Sequence, residues 1–403
     1  MAATEGSGLV ELTEEQQAVI ATVREFVEQE VFPVAEELEA RDEFPEKIVE
    51  GMKELGLFGL TVPEEYGGAG LDLLTYALVG VELSRGWMSL SGILNTHFMA
   101  VYLLKKHGTE EQKQRWLPKM ATGELRAALS MSEPGAGSDV QAIQCRGVRD
   151  GDHYVVNGTK MWVTNGLRAG LVVLLCKTDP QAQPAYKGIS ILFVEKEPGA
   201  SRFEGITVPP NIEKMGYHGV ETTELVFEDH RVPAENLLGS EGDGFRQVMD
   251  GIEVGRVNVS ARAVGLATRA FEEAIRYAQQ RHAFGKPIAQ HQMIQEKLAD
   301  MGTKLEAARL MLLQAAKKKS AGARSDLEAG MAKYFCTEAC HEIVTEALRV
   351  HGGYGYSAEY TVERLYRDAP FLLIGEGTSE IQKLVIARQL LERFKVEGTP
   401  EGK

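Results

Sequence analysis

Basic residues are the minority charge in this sequence: 44 Lys and Arg stand against 58 Asp and Glu, a formal net charge of −14. A general nucleic-acid binder needs a basic face to neutralise phosphates, so that class is disfavoured. One local basic pocket for an anionic ligand remains open. Cysteine is scarce, with only Cys145, Cys176, Cys336 and Cys340, and so low a count suits a reducing compartment. Cys336 and Cys340 lie four apart beside His341, which could be half a metal site. No second ligand pair lies in range, and no metal is expected. No apolar run reaches the length that spans a bilayer. The opening "MAATEGSGLVEL" lacks the basic and apolar segments of a signal peptide and the Arg-rich pattern of a transit peptide. The expected location is the cytoplasm, or the mitochondrial matrix for a mature organellar form, with no membrane association.

What is present is an ordinary globular composition over 403 residues, enough for two or three domains. The hydrophobic period divides the chain into three zones. Residues 1–125 read as helical. "TEEQQAVIATVREFVEQEVFP" sets Thr13 and Gln16 in capping-box positions, and Val19, Val23, Phe26, Val27 and Val31 recur at helical spacing. Further helical patterns cover Phe44–Leu55, Leu74–Ser84 and Gly92–His107. The glycine-rich "VPEEYGGAGLD" between them follows no strand and reads as a turn rather than a dinucleotide fingerprint. Residues 126–240 change to β-branched runs, and Asn157-Gly158 in "HYVVNGTKMWVTNG" reads as a hairpin turn. Residues 241–403 return to long helices rich in small residues, one opening at Ser325 with Glu328 in capping-box position, and a last one over about Ser379–Phe394. The fold class is α+β, a β-domain between two helical domains.

Several short segments could carry chemistry. "LSMSEPGAGSD", Leu129–Asp139, lets backbone N–H groups approach an anion or a flat ring, but lacks the lysine of a P-loop. It reads equally as a tight interdomain turn. Trp162 and Thr164 lie on a strand, where a tryptophan is more often core than ligand contact. Arg281 follows a long helix and, with Phe284, His291 and Gln292, either meets a phosphate pair or serves as a helix-end cap. Arg256 sits in a small-residue helix and needs an anionic or carbonyl partner, structural or functional. Glu376, between two glycines in "LLIGEGTSEIQ", would in isolation be a solvated loop carboxylate.

Taken in order, "SEPGAGSD", "NGTKMWVTNG", "EKMGYHGVETTELVFEDHRVP", "QQRHAFGKPI", "HGGYGY" and "EGTSEIQ" resemble the acyl-CoA dehydrogenase family over about Thr13–Phe394. The resemblance implies an N-terminal α-helical domain, a central β-domain and a C-terminal four-helix bundle. It implies an FAD flavoprotein, commonly a homotetramer, that oxidises an acyl-CoA to the trans-2-enoyl-CoA and passes electrons to an electron-transfer flavoprotein. By matching position, Leu129–Ser138, with Met131, Ser132 and Gly137, would wrap the flavin, and Ser138 would also face the CoA side. Trp162, Val163 and Thr164 would lie against the isoalloxazine ring. Arg281, Phe284 and Gln292 would reach the FAD of a neighbouring subunit. Arg349, Gly352 and Gly353 would pass near the adenosine half, and Thr378, Ser379 and Glu380 would contact FAD again. Glu253, Arg256, Gly377 and Arg388 match substrate-side positions. Glu376 matches the base that takes the α-proton while flavin N5 takes the β-hydride.

Some relatives place the base directly before the arginine that matches Arg256. Here that residue is Gly255, which favours Glu376, and Glu253 should point elsewhere on the helix. Glutaryl-type relatives carry an arginine in the region following "ELSR"; "GWMSLSGILNTHF" has none, which disfavours a dicarboxyl substrate of that type. Three departures stand out: Gly375 where straight-chain enzymes usually have a ring, His218 for a common arginine, and Arg349 for a common glutamine. Gly375 is expected to open the pocket toward an α-branched acyl group. Two alternatives remain: an acyl-CoA oxidase, which would release hydrogen peroxide, and a non-catalytic relative, which would purify colourless.

Overall fold

Two copies of the same four residues, Thr-Glu-Glu-Gln, open two helices of the N-terminal zone in this computed structural model, which describes residues 12–396. Thr13 Oγ1 accepts from the Gln16 N–H, and Gln16 Oε1 accepts from the Thr13 N–H, both at 3.1 Å, closing the expected capping box of α1 (Glu14–Phe26). Short α2 (Ala35–Ala40) and α3 (Glu46–Glu54) follow, then α4 (Leu73–Gly86) and α5 (Met88–His107). Thr109 and Gln112 repeat the box at α6 (Glu110–Ala121), a helix that periodicity alone passed over. Helices α4 and α5 are buried almost all round, so they read as small and apolar rather than striped.

The middle of the chain forms one sheet. Its strands are β1 (Ala127–Ser130), β2 (Arg146–Asp150), β3 (His153–Thr164), β4 (Leu171–Lys177), β5 (Ile189–Glu195), β6 (Arg202–Phe203), β7 (Ile206–Thr207) and β8 (Thr222–Pro233). They run in the order β1-β4-β2-β3-β8-β7-β6, with β5 also paired to β4. The Asn157-Gly158 hairpin is corrected: β3 passes straight through both residues. Asn157 bonds across to Asp229 on β8 at 3.0 Å in both directions, and Gly158 forms a bulge at φ 145°. A Cβ there would stand 2.7 Å from Cys145 Cα, so close backbone approach explains this glycine. The actual β2–β3 turn is Gly151-Asp152, with Gly151 at φ 63°.

Beyond the sheet, α7 (Gly244–Gln280) crosses the molecule. A small hairpin, β9 (His282–Ala283) and β10 (Lys286–Pro287), leads to α8 (Gln292–Ser320), α9 (Asp326–His351), α10 (Thr361–Ile374) and α11 (Ser379–Arg393). The Ser325 capping box is also corrected. The Ser325 hydroxyl donates instead to Glu253 Oε1 at 2.6 Å, and Glu328 pairs with Lys318 at 2.7 Å. One apolar core joins the N-terminal helices to α7–α10. A second joins α5, α6 and the start of α7 to the sheet. The close approach of α4 and α7 explains the small residues: a Cβ on Gly265 would stand 2.3 Å from the Val81 carbonyl oxygen. Among the described residues no helix is long and apolar enough to cross a membrane, and no His/Cys/Asp/Glu cluster could hold a metal ion.

Candidate active site

The site begins with a conformational oddity. Between α10 and α11 the chain turns through Gly375, Glu376 and Gly377, and Glu376 itself holds φ 54°, which a non-glycine residue rarely adopts. Gly377 follows at φ 89°. The turn is fixed from behind. Buried Gln382 donates through Nε2 to the Gly377 carbonyl at 3.1 Å, and Thr378 caps α11 by accepting from the Ile381 N–H at 3.3 Å. The strain aims the Glu376 side chain inward, at α5 and α7.

Its carboxylate lands in a notch. A Cβ on Gly255 would lie 1.7 Å from Glu376 Oε2 and 3.2 Å from Met99 Sδ, so the missing side chain of Gly255 is the space the carboxylate fills. Asn95 of α5 donates through Nδ2 to Oε1. Oε2 is buried and has no hydrogen-bond partner among the described residues. Burial raises the Glu376 pKa, opposed in order by the Arg262 charge, the Asn95 bond, Lys333 and Arg256. Burial likewise lowers Lys333 to about 8. The result is a desolvated carboxylate with one oxygen held and one oxygen free.

The expected pocket at Gly375 is bounded. A Cβ there would stand 3.0 Å from Phe371 Cζ, and the Phe371 ring stacks on Tyr217 with centroids 4.5 Å apart. A ring from one turn earlier thus closes the side that glycine opens.

The end of β3 reaches the same place. Asn165 donates through Nδ2 to the Ile93 carbonyl at 2.9 Å and to Thr96 Oγ1 at 2.8 Å, which docks Val163 and Thr164 beside the helical turn that carries Asn95. Trp162, which strand statistics place in the core, is instead 56% exposed at φ 63°. The loop Leu129–Ser138 lies alongside, since the Met161 N–H bonds to the Ser132 carbonyl at 2.9 Å. Gly135 and Gly137 face open space, and Ser138 is exposed. This loop is anchored by a pair not singled out from the sequence. Fully buried Lys160 donates to Glu133 Oε1 at 2.8 Å and to the Met131 carbonyl at 2.9 Å. Glu133 also accepts from the Gln144 and Cys145 N–H groups at 2.6 and 2.9 Å. An exposed indole beside an open glycine loop is a surface suited to a flat cofactor such as a flavin.

Other expected residues fall elsewhere. Arg281 ends α7, with its guanidinium 5.5 Å from the Tyr354 ring, so it meets the segment that follows Gly352 and Gly353. Phe284 tips the β9–β10 turn at 96% exposure, and Gln292 begins α8. Arg349 pairs with Glu346 on its own helix. Glu380 is exposed in the first turn of α11, and Arg388 lies exposed further along it. Arg256 is buried with Nε unpartnered among the described residues. Glu253, expected on the substrate side, has partners within the protein. Its carboxylate accepts from Lys319 and from the Ser325 hydroxyl and N–H, bracing the α8–α9 connection. His218 lies 3.0 Å from Glu39, which also binds Arg367.

Comparison with known proteins agrees with this geometry. Family models of the acyl-CoA dehydrogenase N-terminal, middle and C-terminal domains match residues 13–124, 128–230 and 242–391. The chain is 41% identical over 387 residues to a 3-(aryl)acrylate reductase of Clostridium sporogenes, covering 94% of this chain and 99% of that one. It is 41% identical over 388 residues to the mitochondrial short-chain specific acyl-CoA dehydrogenase of Homo sapiens, covering 96% and 92%. The structure of butyryl-CoA dehydrogenase from Megasphaera elsdenii superposes with a TM-score of 0.91 at 35% identity, covering 95% and 99%. The chain belongs to the acyl-CoA dehydrogenase family, the FAD-dependent flavoprotein oxidoreductases that act on acyl-CoA thioesters.

Proposed function

We propose that this enzyme dehydrogenates an acyl-CoA at C2–C3, with Glu376 as the base that removes the α-proton. The observation that carries the reading is the seat of the carboxylate: Oε1 tethered by Asn95, and Oε2 buried, unpartnered and set in the Gly255 notch. Desolvation raises the pKa of the carboxylate, the direction a base for this step needs, and the Arg262, Lys333 and Arg256 charges oppose that rise. The Glu376 backbone N–H, which meets no protein acceptor among the described residues, would donate to the thioester oxygen as negative charge develops. Gly377 lets that backbone come close.

FAD, when bound, supplies the acceptor for the β-hydride. Leu129–Ser138 and Trp162–Thr164 would hold its ring, Thr378 and Glu380 would support it from α11, and Arg349–Gly353 would lie toward its adenosine half. Arg281, Phe284 and Gln292 would serve the cofactor of a neighbouring subunit in a homotetramer. The exposure of Phe284, Met293 and Tyr356 supports a protein surface there. Arg256 and Arg388 would meet the CoA moiety. An electron-transfer flavoprotein would reoxidise the enzyme, in the cytoplasm.

The test is anaerobic flavin bleaching by an acyl-CoA panel. Glu376→Gln should keep yellow FAD and bind CoA thioesters, yet bleach at least ~1,000-fold more slowly. Unchanged bleaching in that variant removes Glu376 from this role.

A further inference from the structure

Lys333 lies on α9 and is fully buried. Its Nζ donates to the Leu373 carbonyl at 3.3 Å, and among the described residues no carboxylate forms an ion pair with it. Lys160, buried as deeply, has Glu133 at 2.8 Å. An ammonium taken out of water without a paired carboxylate is destabilising, so stability does not explain why a lysine stands here.

Leu373 gives the reason. It lies in the last turn of α10, three residues before Glu376, where carbonyls have no partner further along the helix. A cation there also meets the negative end of the helix dipole, and α10 has no basic residue of its own in that turn. Lys333 therefore caps α10 from outside, at the point where the chain leaves the helix to deliver Glu376. Gly330, three residues earlier on the same face of α9, backs α11: a Cβ on it would stand 3.6 Å from Gln382 Oε1. Gln382 in turn holds the Gly377 carbonyl. One face of α9 thus supports the Glu376 turn at both of its ends.

Burial dominates both ionisable groups. Of the charges, Lys333 feels Glu376 first, then Glu338 on its own helix, Arg256 on α7 and Glu380 on α11. Glu376 feels Arg262 and Arg256 on α7 and Lys333 on α9, while α5 presents neutral Asn95. Burial pushes the Tyr76 and Tyr217 hydroxyls up, so both stay neutral phenols beside it. Arg262 is held by Asn258 and the Tyr217 hydroxyl. Lys333 is held by the chain segment that carries Glu376 itself.

We propose that Lys333 is a positioning residue for the base: its ammonium pins the end of α10 and holds the Glu376 carboxylate in the ionised form that can accept a proton. This rests on Glu376 as the base. Burial alone would favour a protonated carboxyl, which cannot take the α-proton.

The test follows Glu376 directly in the holoenzyme, through the infrared C=O stretch of its protonated carboxyl, identified by its loss in Glu376→Gln. The acid limb of the pH–kcat/KM profile for flavin bleaching by butyryl-CoA is read alongside. A nearby ammonium favours the carboxylate, so its removal should move both titrations to higher pH, by about 0.5–1 pH unit in Lys333→Met. Lys333→Gln keeps a donor for Leu373 but no charge and should shift them likewise, whereas Lys333→Arg keeps the charge and should leave them near wild type. Lys333→Met should melt within several degrees of wild type, because it replaces an unpaired ammonium by an apolar chain. A Glu376 band that titrates unchanged in Lys333→Met overturns the proposal. So does a Lys333→Met protein that fails to fold, which would make the residue a structural brace, and so does a Lys333→Arg band that moves as far as that of Lys333→Met. A band that moves while the acid limb stays sinks the reading of Glu376 as the base. An unmoved band together with bleaching lost in Glu376→Gln sinks the Lys333 proposal alone.

Discussion

Gly255→Ala adds one methyl group at the most crowded point of the site. The new Cβ would stand 1.7 Å from Glu376 Oε2 and 2.8 Å from its Cδ. Ordinary contact begins near 3.4 Å, so the carboxylate must retreat by about 1.7 Å. It would then leave Asn95, whose Nδ2 holds Oε1. A misplacement of about 1 Å costs roughly 100-fold in rate, equivalent to about 2.7 kcal/mol of transition-state stabilisation. Folding should respond differently. Alanine gains about 1 kcal/mol over glycine in a helix interior, and losing the Asn95 bond costs about 1–3 kcal/mol. Stability should therefore change by less than about 2 kcal/mol. The assay pairs stopped-flow anaerobic flavin reduction with thermal unfolding. The expected result is bleaching slowed about 100-fold in a protein that melts within several degrees of wild type. Full activity would refute the notch as the seat of the base. Loss of folding would refute the energy comparison.

Two further outcomes follow from the same contacts. Asn95→Leu removes a bond that lowers the Glu376 pKa, so the acid limb of the pH–kcat/KM profile should move to higher pH, with activity at high pH less affected than at low pH; an unmoved limb would count against the tether. Lys160→Met leaves Glu133 buried without its cation; it should cost about 3–5 kcal/mol and weaken FAD retention during gel filtration, and a stable, fully yellow variant would contradict the anchoring role.

The period changes that separate helix, sheet and helix were visible in the sequence because each zone repeats its pattern over many residues. Local signals fared less evenly. Asn157-Gly158 has the composition of a turn, yet cross-strand bonds to Asp229 and close contact with Cys145 keep it within a strand. Ser325 has the composition of a cap, yet Glu253 claims its hydroxyl. Trp162 looked like core because hydrophobicity carries no sign of which face a bulge turns outward. Glu376 was legible through its motif, but its partners were not. Asn95 lies 281 residues away and becomes a neighbour only when α5 packs on α7. Arg262 left one trace, a charge inside the small-residue run "RVNVSARAVG". A charge there demands a partner, and only the fold brings the Glu376 carboxylate within reach of its field.

The Gly255 notch has a consequence for where a base can sit. Relatives that carry the base on the helix would fill this same volume from residue 255 itself. Here the volume is occupied by a carboxylate delivered from the α10–α11 turn. A carboxylate on residue 255 and the present Glu376 conformation are sterically incompatible, so the two arrangements are alternative tenancies of one chamber. The position of the proposed base is thus separable from the chamber that desolvates it. The architecture specifies where the chemistry happens and leaves open which of two strands of connectivity delivers the group that performs it.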